Sequence, residues 1–393
     1  MIHLSPNSDH SLLVAGVALV SFAMAGVAYA YVGYPLLLGF ISKLAPRRRS
    51  VPVTDLGLTL IIAAHNEEAG IREKLNATLR LNYPREKLQI LVASDGSTDK
   101  TNEIVREFQG QGVELLEVHD RMGKTNAQNK AVLHARHPIL VFSDATTRYD
   151  ADALQYLAGA YLDARVGAVS GRYDYFDPTA GSPAGTGSAK FWNLENWIKR
   201  AQSRIHSLSG CCGCIYSVRR DLYTALPPET ISDLVQPLRV ILQGHRVVFE
   251  ESAHAWEEAT RTAGDEFRMR VRVATRGMMG LLSVPQLLLP WKYPWIAFQL
   301  WSHKISRWSI PLFLACLLVG TLFLAANPAF LMLVSIQILF YGWALASLVI
   351  PGLRRSRLLS LPLYFCTINT AFLLGIVNAV RGRHIKVWQP IRG

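Results

Sequence analysis

Residues 12–41 contain no charged side chain. At about 1.5 Å per helical residue, a stretch of that length outreaches the roughly 30 Å hydrocarbon core of a bilayer, even with tilt. Residues 1–45 are therefore expected to hold a transmembrane helix. Arg47, Arg48 and Arg49 follow it, whereas the first ten residues contain no Lys or Arg, so the positive-inside rule places the next segment in the cytoplasm. A cleaved signal peptide ending at Ala28-Tyr29-Ala30 fits less well, because the leader is not basic and the apolar stretch is too long. Residues 310–326, 329–350 and 358–380 are further apolar segments, separated by Asn327-Pro328 and by a Pro351-Gly352 turn with two arginines. They predict a C-terminal membrane region over 309–380. The segment 278–308 mixes leucines with Pro285, Pro290, Pro294 and several tryptophans, a composition suited to the headgroup boundary. One span before the domain and three after it would leave the basic tail, 381–393, outside and against the positive-inside rule, unless 278–301 also crosses.

What remains, 46–277, reads as one polar domain. Runs at 58–64, 88–93, 113–118, 139–143 and 166–170 have the composition of buried strands, and 69–81, 101–109, 124–134 and 152–162 have helical periodicity. Alternation of this kind implies an α/β fold with a mostly parallel sheet, which binds ligands beyond the carboxyl ends of its strands. The net charge of +12 has no zinc-finger spacing, aromatic RNA-binding motif or long basic tract beside it, so nucleic acid is not an expected partner. Membrane lipids and phosphate-bearing substrates account for the excess instead. Five cysteines are too few for a disulfide framework, and Cys211-Cys212-Gly213-Cys214 lacks the second pair that a structural zinc site wants.

Three predicted strands deliver acids to one edge: the first ends in Ala64-His65-Asn66-Glu67-Glu68, the second in Ser94-Asp95-Gly96-Ser97, the fourth in Ser143-Asp144-Ala145-Thr146. A single Asp after a strand is commonly a helix cap or a turn former. Three together suit a ligand with a base, a ribose and a diphosphate held through a divalent cation. Gly123-Lys124-Thr125 is not a P-loop, since Val118 stands where that motif needs its first glycine.

These motifs resemble the family 2 glycosyltransferases of GT-A fold, in the membrane-integrated branch of the hyaluronan, cellulose and poly-N-acetylglucosamine synthases. The resemblance runs from about Thr59 to Arg276. It implies a cytoplasmic GT-A domain that moves a sugar, with inversion, from a nucleotide sugar, expected to be UDP-linked, to a glycan or lipid-linked acceptor. His65, Asn66, Glu67 and Asp95 would line the nucleoside end, and Asp144 would meet the diphosphate and a Mg²⁺ or Mn²⁺ ion. Met122-Gly123-Lys124 resembles the stretch that puts a lysine near the sugar diphosphate. Gly210, Cys211 and Gly213 resemble the glycine-bearing acceptor loop, and Ile231-Ser232-Asp233 the acidic pair whose second carboxylate deprotonates the acceptor. Asp233 is thus the candidate general base, with a helix cap as its plainer role. Arg276 falls where the processive enzymes keep the arginine of their QxxRW motif.

The departures are specific. Thr146 replaces the second acid of the DxD-type motif, Ser232 the first of the acidic pair, and Val273 and Gly277 the Gln and Trp around Arg276. Trp192, Trp197 and Trp256 offer faces for sugar rings or, equally, for packing. Transfer to a polyprenyl phosphate is the alternative within enzymes, and a transporter or scaffold the remoter one. A bacterial inner membrane is the expected location.

Overall fold

The computed structural model describes residues 6–46, 49–176, 183–258, 263–350, 352–355 and 359–383. The chain divides into two compact units, one built from residues 1–37, 266–275 and 300–382, the other from 38–265, 276–299 and 383–393.

The first unit is helical. It takes in α1 (Pro6–Ala28) and the start of α2 (Tyr34–Leu44), which a short π-helical turn at Tyr29–Gly33 joins. The run His10–Leu44 is long and apolar enough to cross a membrane, as are two helices near the other end, Pro328–Val349 and Leu361–Val380. The segment Ile310–Phe323 has only 14 residues. At about 1.5 Å each they reach about 21 Å, short of a hydrocarbon core. With Pro294–Trp308 this helix forms a pair bent by 56°, so the described chain has three helices fit to cross, or four if the pair is one span. The expected boundary segment is likewise broken: a helix ends at Leu282, a 3₁₀ turn covers Pro285–Leu288, and helix resumes at Pro294. Pro285 and Pro294, which lack the N–H that a continuous helix requires, sit at the two restarts.

The second unit holds an eight-stranded sheet in the order β3-β2-β1-β4-β7-β6-β8-β5. Its strands are β1 (Leu58–Ala64), β2 (Leu88–Asp95), β3 (Val113–Val118), β4 (Ile139–Asp144), β5 (Arg148–Tyr149), β6 (Val166–Phe176), β7 (Ile215–Arg219) and β8 (Arg246–Glu258). β1, β2, β3 and β4 are parallel neighbours, while β7 enters antiparallel between β4 and β6. Every residue of β1 and β2 is buried, as both faces of a covered parallel sheet require. The helices that position the site are α3 (Ile71–Leu79), α4 (Thr101–Arg106), α5 (Lys124–Leu133), α6 (Ala153–Gly159), α7 (Pro183–Ile205) and α8 (Ser232–Leu242); α9 (Ala263–Leu282) follows the sheet.

Register fixes what reaches the sheet edge. Ala63 lies opposite Asp144, and Ala64 opposite Ser94, so β1, β2 and β4 end together. The turns carrying His65, Asp95 and Asp144 leave from that one line.

Candidate active site

The ends of β1 and β2 carry a pair of interlocked loops. Asn66 adopts a left-handed backbone (φ 52°), a conformation that Asn tolerates better than most residues, and its side-chain oxygen accepts from the Thr98 N–H at 2.8 Å. Its own N–H donates to Ser97 Oγ at 3.1 Å. His65 Nδ1 lies 2.7 Å from the Asp95 carbonyl oxygen, and the Glu67 N–H donates to Thr101 Oγ1 at 2.7 Å. His65 and Asn66 thus brace the two strand ends against each other. Glu67 and Asp95 are each 3% exposed.

Asp95 connects this end to α5. Its Oδ2 accepts from the Gly123 N–H at 2.8 Å, whereas its buried Oδ1 has no hydrogen-bond partner among the described residues. Burial raises the carboxyl pKa, and the Gly123 hydrogen bond and the His65 charge only partly oppose it. Gly123 itself holds φ 97°, which a side chain would strain.

Lys124 opens α5 and ties the acids together. Its ammonium pairs with Asp144 and donates to the Gly213 carbonyl at 3.0 Å. Burial alone would lower its pKa, but Asp144 and Asp233 together outweigh burial and hold the amine charged. Asp233 lies against the same glycine: a Cβ built on Gly213 would sit 2.8 Å from Asp233 Oδ2 and 3.5 Å from Lys124 Nζ. Only a residue without a side chain leaves those groups where they are. The loop is fixed further by the Cys211 N–H, which donates to the Asp233 carbonyl at 2.8 Å, and the Cys212 N–H, which donates to Ser170 Oγ at 3.0 Å. Gly210 packs on Leu234, and the Cys212 and Cys214 sulfurs touch at 3.2 Å.

Asp233 stands in the first turn of α8, whose N-cap position is Ile231 with no side-chain capping bond. Its carboxyl pKa is raised, first by burial and then by Asp144, with Lys124 opposing. Arg276, 8% exposed, sends Nε to the Glu229 carbonyl at 2.7 Å and Nη2 to the Pro228 carbonyl at 3.0 Å. Its guanidinium therefore grips the turn that leads into Asp233. Trp197 packs on Gly39, Trp192 meets Tyr173 edge-on with centroids 4.6 Å apart, and Trp256 lies under Arg148.

Residues 59–226 match the family described as Glycosyl transferase family 2. The chain carries a family 2 glycosyltransferase domain. It is 27% identical over 232 residues to the probable glycosyltransferase YdaM of Bacillus subtilis, covering 55% of this chain and 54% of that protein. To the poly-β-1,6-N-acetyl-D-glucosamine synthase of Staphylococcus aureus it is 25% identical over 243 residues, covering 60% and 58%. The matched stretch thus spans little more than half the length of these curated relatives. Among solved structures, a mannosyltransferase from Pyrobaculum calidifontis, in complex with GDP-Man and Mn²⁺, superposes with a TM-score of 0.70 at 22% identity, over 95% of this chain and 100% of that one. The glycosyltransferase fold is therefore of the GT-A kind, as the family resemblance implies.

Lys74 is a buried charge of the glycosyltransferase domain that none of the strand-end motifs includes. Lys74, 4% exposed on α3, donates to Ser143 Oγ at 2.7 Å and to the Thr147 carbonyl at 2.5 Å, on either side of Asp144 in the chain. Burial lowers its pKa to about 7, although Asp144, Cys214 and Glu257 act to raise it. The signal was present: Ile71, Lys74, Leu75 and Thr78 occupy one helical stripe, and a lysine in such a stripe is out of place unless something polar receives it.

Proposed function

We propose that the protein is a membrane-anchored, inverting glycosyltransferase, with residues 1–45 and 309–380 as its membrane segments and 46–277 as its catalytic domain on the cytoplasmic side. The observation that carries the reading is the Lys124 bridge. One ammonium joins Asp144, at the end of a donor-side strand, to the Gly213 loop, against which the Asp233 carboxylate lies.

In this reading Glu67 and Asp95 receive the nucleoside, with the unpartnered Asp95 Oδ1 as an acceptor for it. Asp144 receives the diphosphate side. Among the described residues no group of three His, Cys, Asp or Glu side chains is arranged to hold a metal, and the second DxD position is the exposed Thr146. A single partly exposed carboxylate suits Mg²⁺ or Mn²⁺ taken up together with the donor's phosphate oxygens, since such ions commonly keep only one or two carboxylates. When bound, the ion supplies positive charge against the diphosphate. Asp233 takes the proton of the acceptor hydroxyl, whose oxygen bonds to the anomeric carbon as the bond to the nucleoside diphosphate breaks on the opposite face. Lys124 faces the charge that develops on the leaving group. Arg276 adds its field while its guanidinium fixes the 228–230 turn.

The donor we propose is UDP-linked, hexosyl or N-acetylhexosaminyl. The similarity to a synthase named for a polymer of N-acetyl-D-glucosamine supports that class. Nucleoside diphosphate release, assayed in membranes containing the full chain across UDP-sugars and GDP-mannose, is expected with a UDP-sugar and is expected to stop on chelation of divalent cations. Release with none of the donors would remove the proposal.

A further inference from the structure

Helix α7 presents an unusual buried face. Helices normally turn apolar side chains inward, yet Glu195, Asn196, Lys199 and Gln202 are 6%, 4%, 6% and 1% exposed. Spacings of three and four residues put them along one stripe. Gln202 accepts from both the N–H and the hydroxyl of Ser209, which suspends the start of the Gly210–Gly213 loop from this helix. Asn196 donates to the Tyr173 carbonyl at 2.8 Å and to Asp174 at 3.1 Å, and its buried side-chain oxygen has no hydrogen-bond partner among the described residues.

Lys199 is the telling member. Its ammonium makes no hydrogen bond and no ion pair with any described residue, and its one close partner is the Trp192 ring, 5.4 Å away. Its charge nevertheless acts on Asp233, Cys211 and Cys212. Holding a cation in so nearly enclosed a place without a direct ion pair costs free energy unless something else compensates. An aromatic face offsets part of that cost.

We propose that the α7 stripe is the wall of the acceptor pocket and that Lys199, set over Trp192, binds a phosphate group carried by the acceptor. The inference rests on the assignment of Asp233 and the Gly210–Gly213 loop to the acceptor side. A phosphate supplies a counter-charge in direct contact, which no described residue gives Lys199, and several strong acceptor oxygens in one compact group. Asn196 Oδ1, on the same stripe, is placed to accept from a hydroxyl beside that phosphate. The bond-making step is unchanged: Lys199 holds the acceptor's anion, and Asp233 takes the proton of its hydroxyl.

The test is a binding measurement that needs no knowledge of the donor. Full-length protein in phosphatidylcholine nanodiscs is titrated with fluorescent farnesyl phosphate and with farnesol, and glucose 1-phosphate is added as a soluble competitor. The wild-type chain is expected to prefer farnesyl phosphate by about tenfold or more, a preference kept by Lys199→Arg and lost by Lys199→Met. Competition by glucose 1-phosphate assigns the site to phosphate itself; its failure against retained farnesyl phosphate binding assigns it to a lipid-borne phosphate. Lys199→Met is expected to melt no lower than wild type, because it removes a nearly enclosed charge that has no direct ion pair among the described residues. Equal binding of farnesol and farnesyl phosphate by the wild type, an undiminished preference in Lys199→Met, or a lowered melting temperature in that variant would each overturn the proposal. UDP binding in the same nanodiscs tests the donor reading separately, so the failure of one is not mistaken for failure of the other.

Discussion

At the scale of single residues, the site is defined by how close its charges come. Gly213 lies against both Asp233 and Lys124, and the 2.8 Å approach of its missing Cβ to Asp233 Oδ2 leaves no room for a methyl group. Gly213→Ala is expected to push the carboxylate aside and lower kcat by about 100-fold, in line with the cost of misplacing a catalytic group by about 1 Å. Steady-state kinetics should show that loss with little change in donor KM. Titration gives a second handle. As the proposed base, Asp233 must be deprotonated to work, and burial raises its pKa, so the acidic limb of the rate profile is expected to lie above that of an ordinary carboxylate. Lys74 acts on stability in the opposite sense of pH. Its folded pKa of about 7 lies below the unfolded value, so between about 7 and about 10.5 the unfolded chain binds more protons and stability rises with pH. Denaturant unfolding of the full chain from pH 7 to pH 10 is expected to show the rise, and Lys74→Met is expected to flatten it. Much of the site was legible at this scale: His65, Asp95, Lys124, Asp144 and Asp233 occupy the two sides of one bridge because strand-end acids and a Gly-Lys turn are local signals. Lys74 and Lys199 were not read, since a lysine's burial depends on what folds over it.

At the scale of elements, strands β1 and β3 lie where periodicity and composition put them, and β2 and β4 run one or two residues further, into the acids themselves. β7 and β8 went unread. β7 is a five-residue strand ending in arginine, and β8 carries glutamates and a histidine along its length, so neither stands out as a hydrophobic run. Both owe their place to pairing with β6, a non-local contact that no window of sequence contains. The polar side chains of α7 hid its buried face for the same reason. In the helical unit, small residues set the spacing: a Cβ on Gly320 would lie 2.9 Å from Leu19 Cβ and 3.0 Å from the Gly16 carbonyl, and one on Gly26 would strike the Phe313 ring. Close backbone approach of this kind is how helices associate where lipid offers no hydrophobic drive. Gly320→Val is expected to cost about 1–3 kcal/mol through overpacking, measured as a lower melting temperature in detergent.

At the scale of the whole molecule, apolar helices at both ends flank a glycosyltransferase domain, and the acids of that domain converge although they lie far apart in sequence. The central claim is that this convergence divides labour, with Asp144 on the donor and Asp233 on the acceptor. It is tested most directly by measuring donor affinity and transfer separately in the full-length Asp144→Asn and Asp233→Asn variants. The account predicts that Asp144→Asn weakens nucleoside diphosphate binding, whereas Asp233→Asn binds it as wild type does and transfers essentially no sugar. Full transfer by Asp233→Asn, or equal loss of donor binding in both variants, would contradict it.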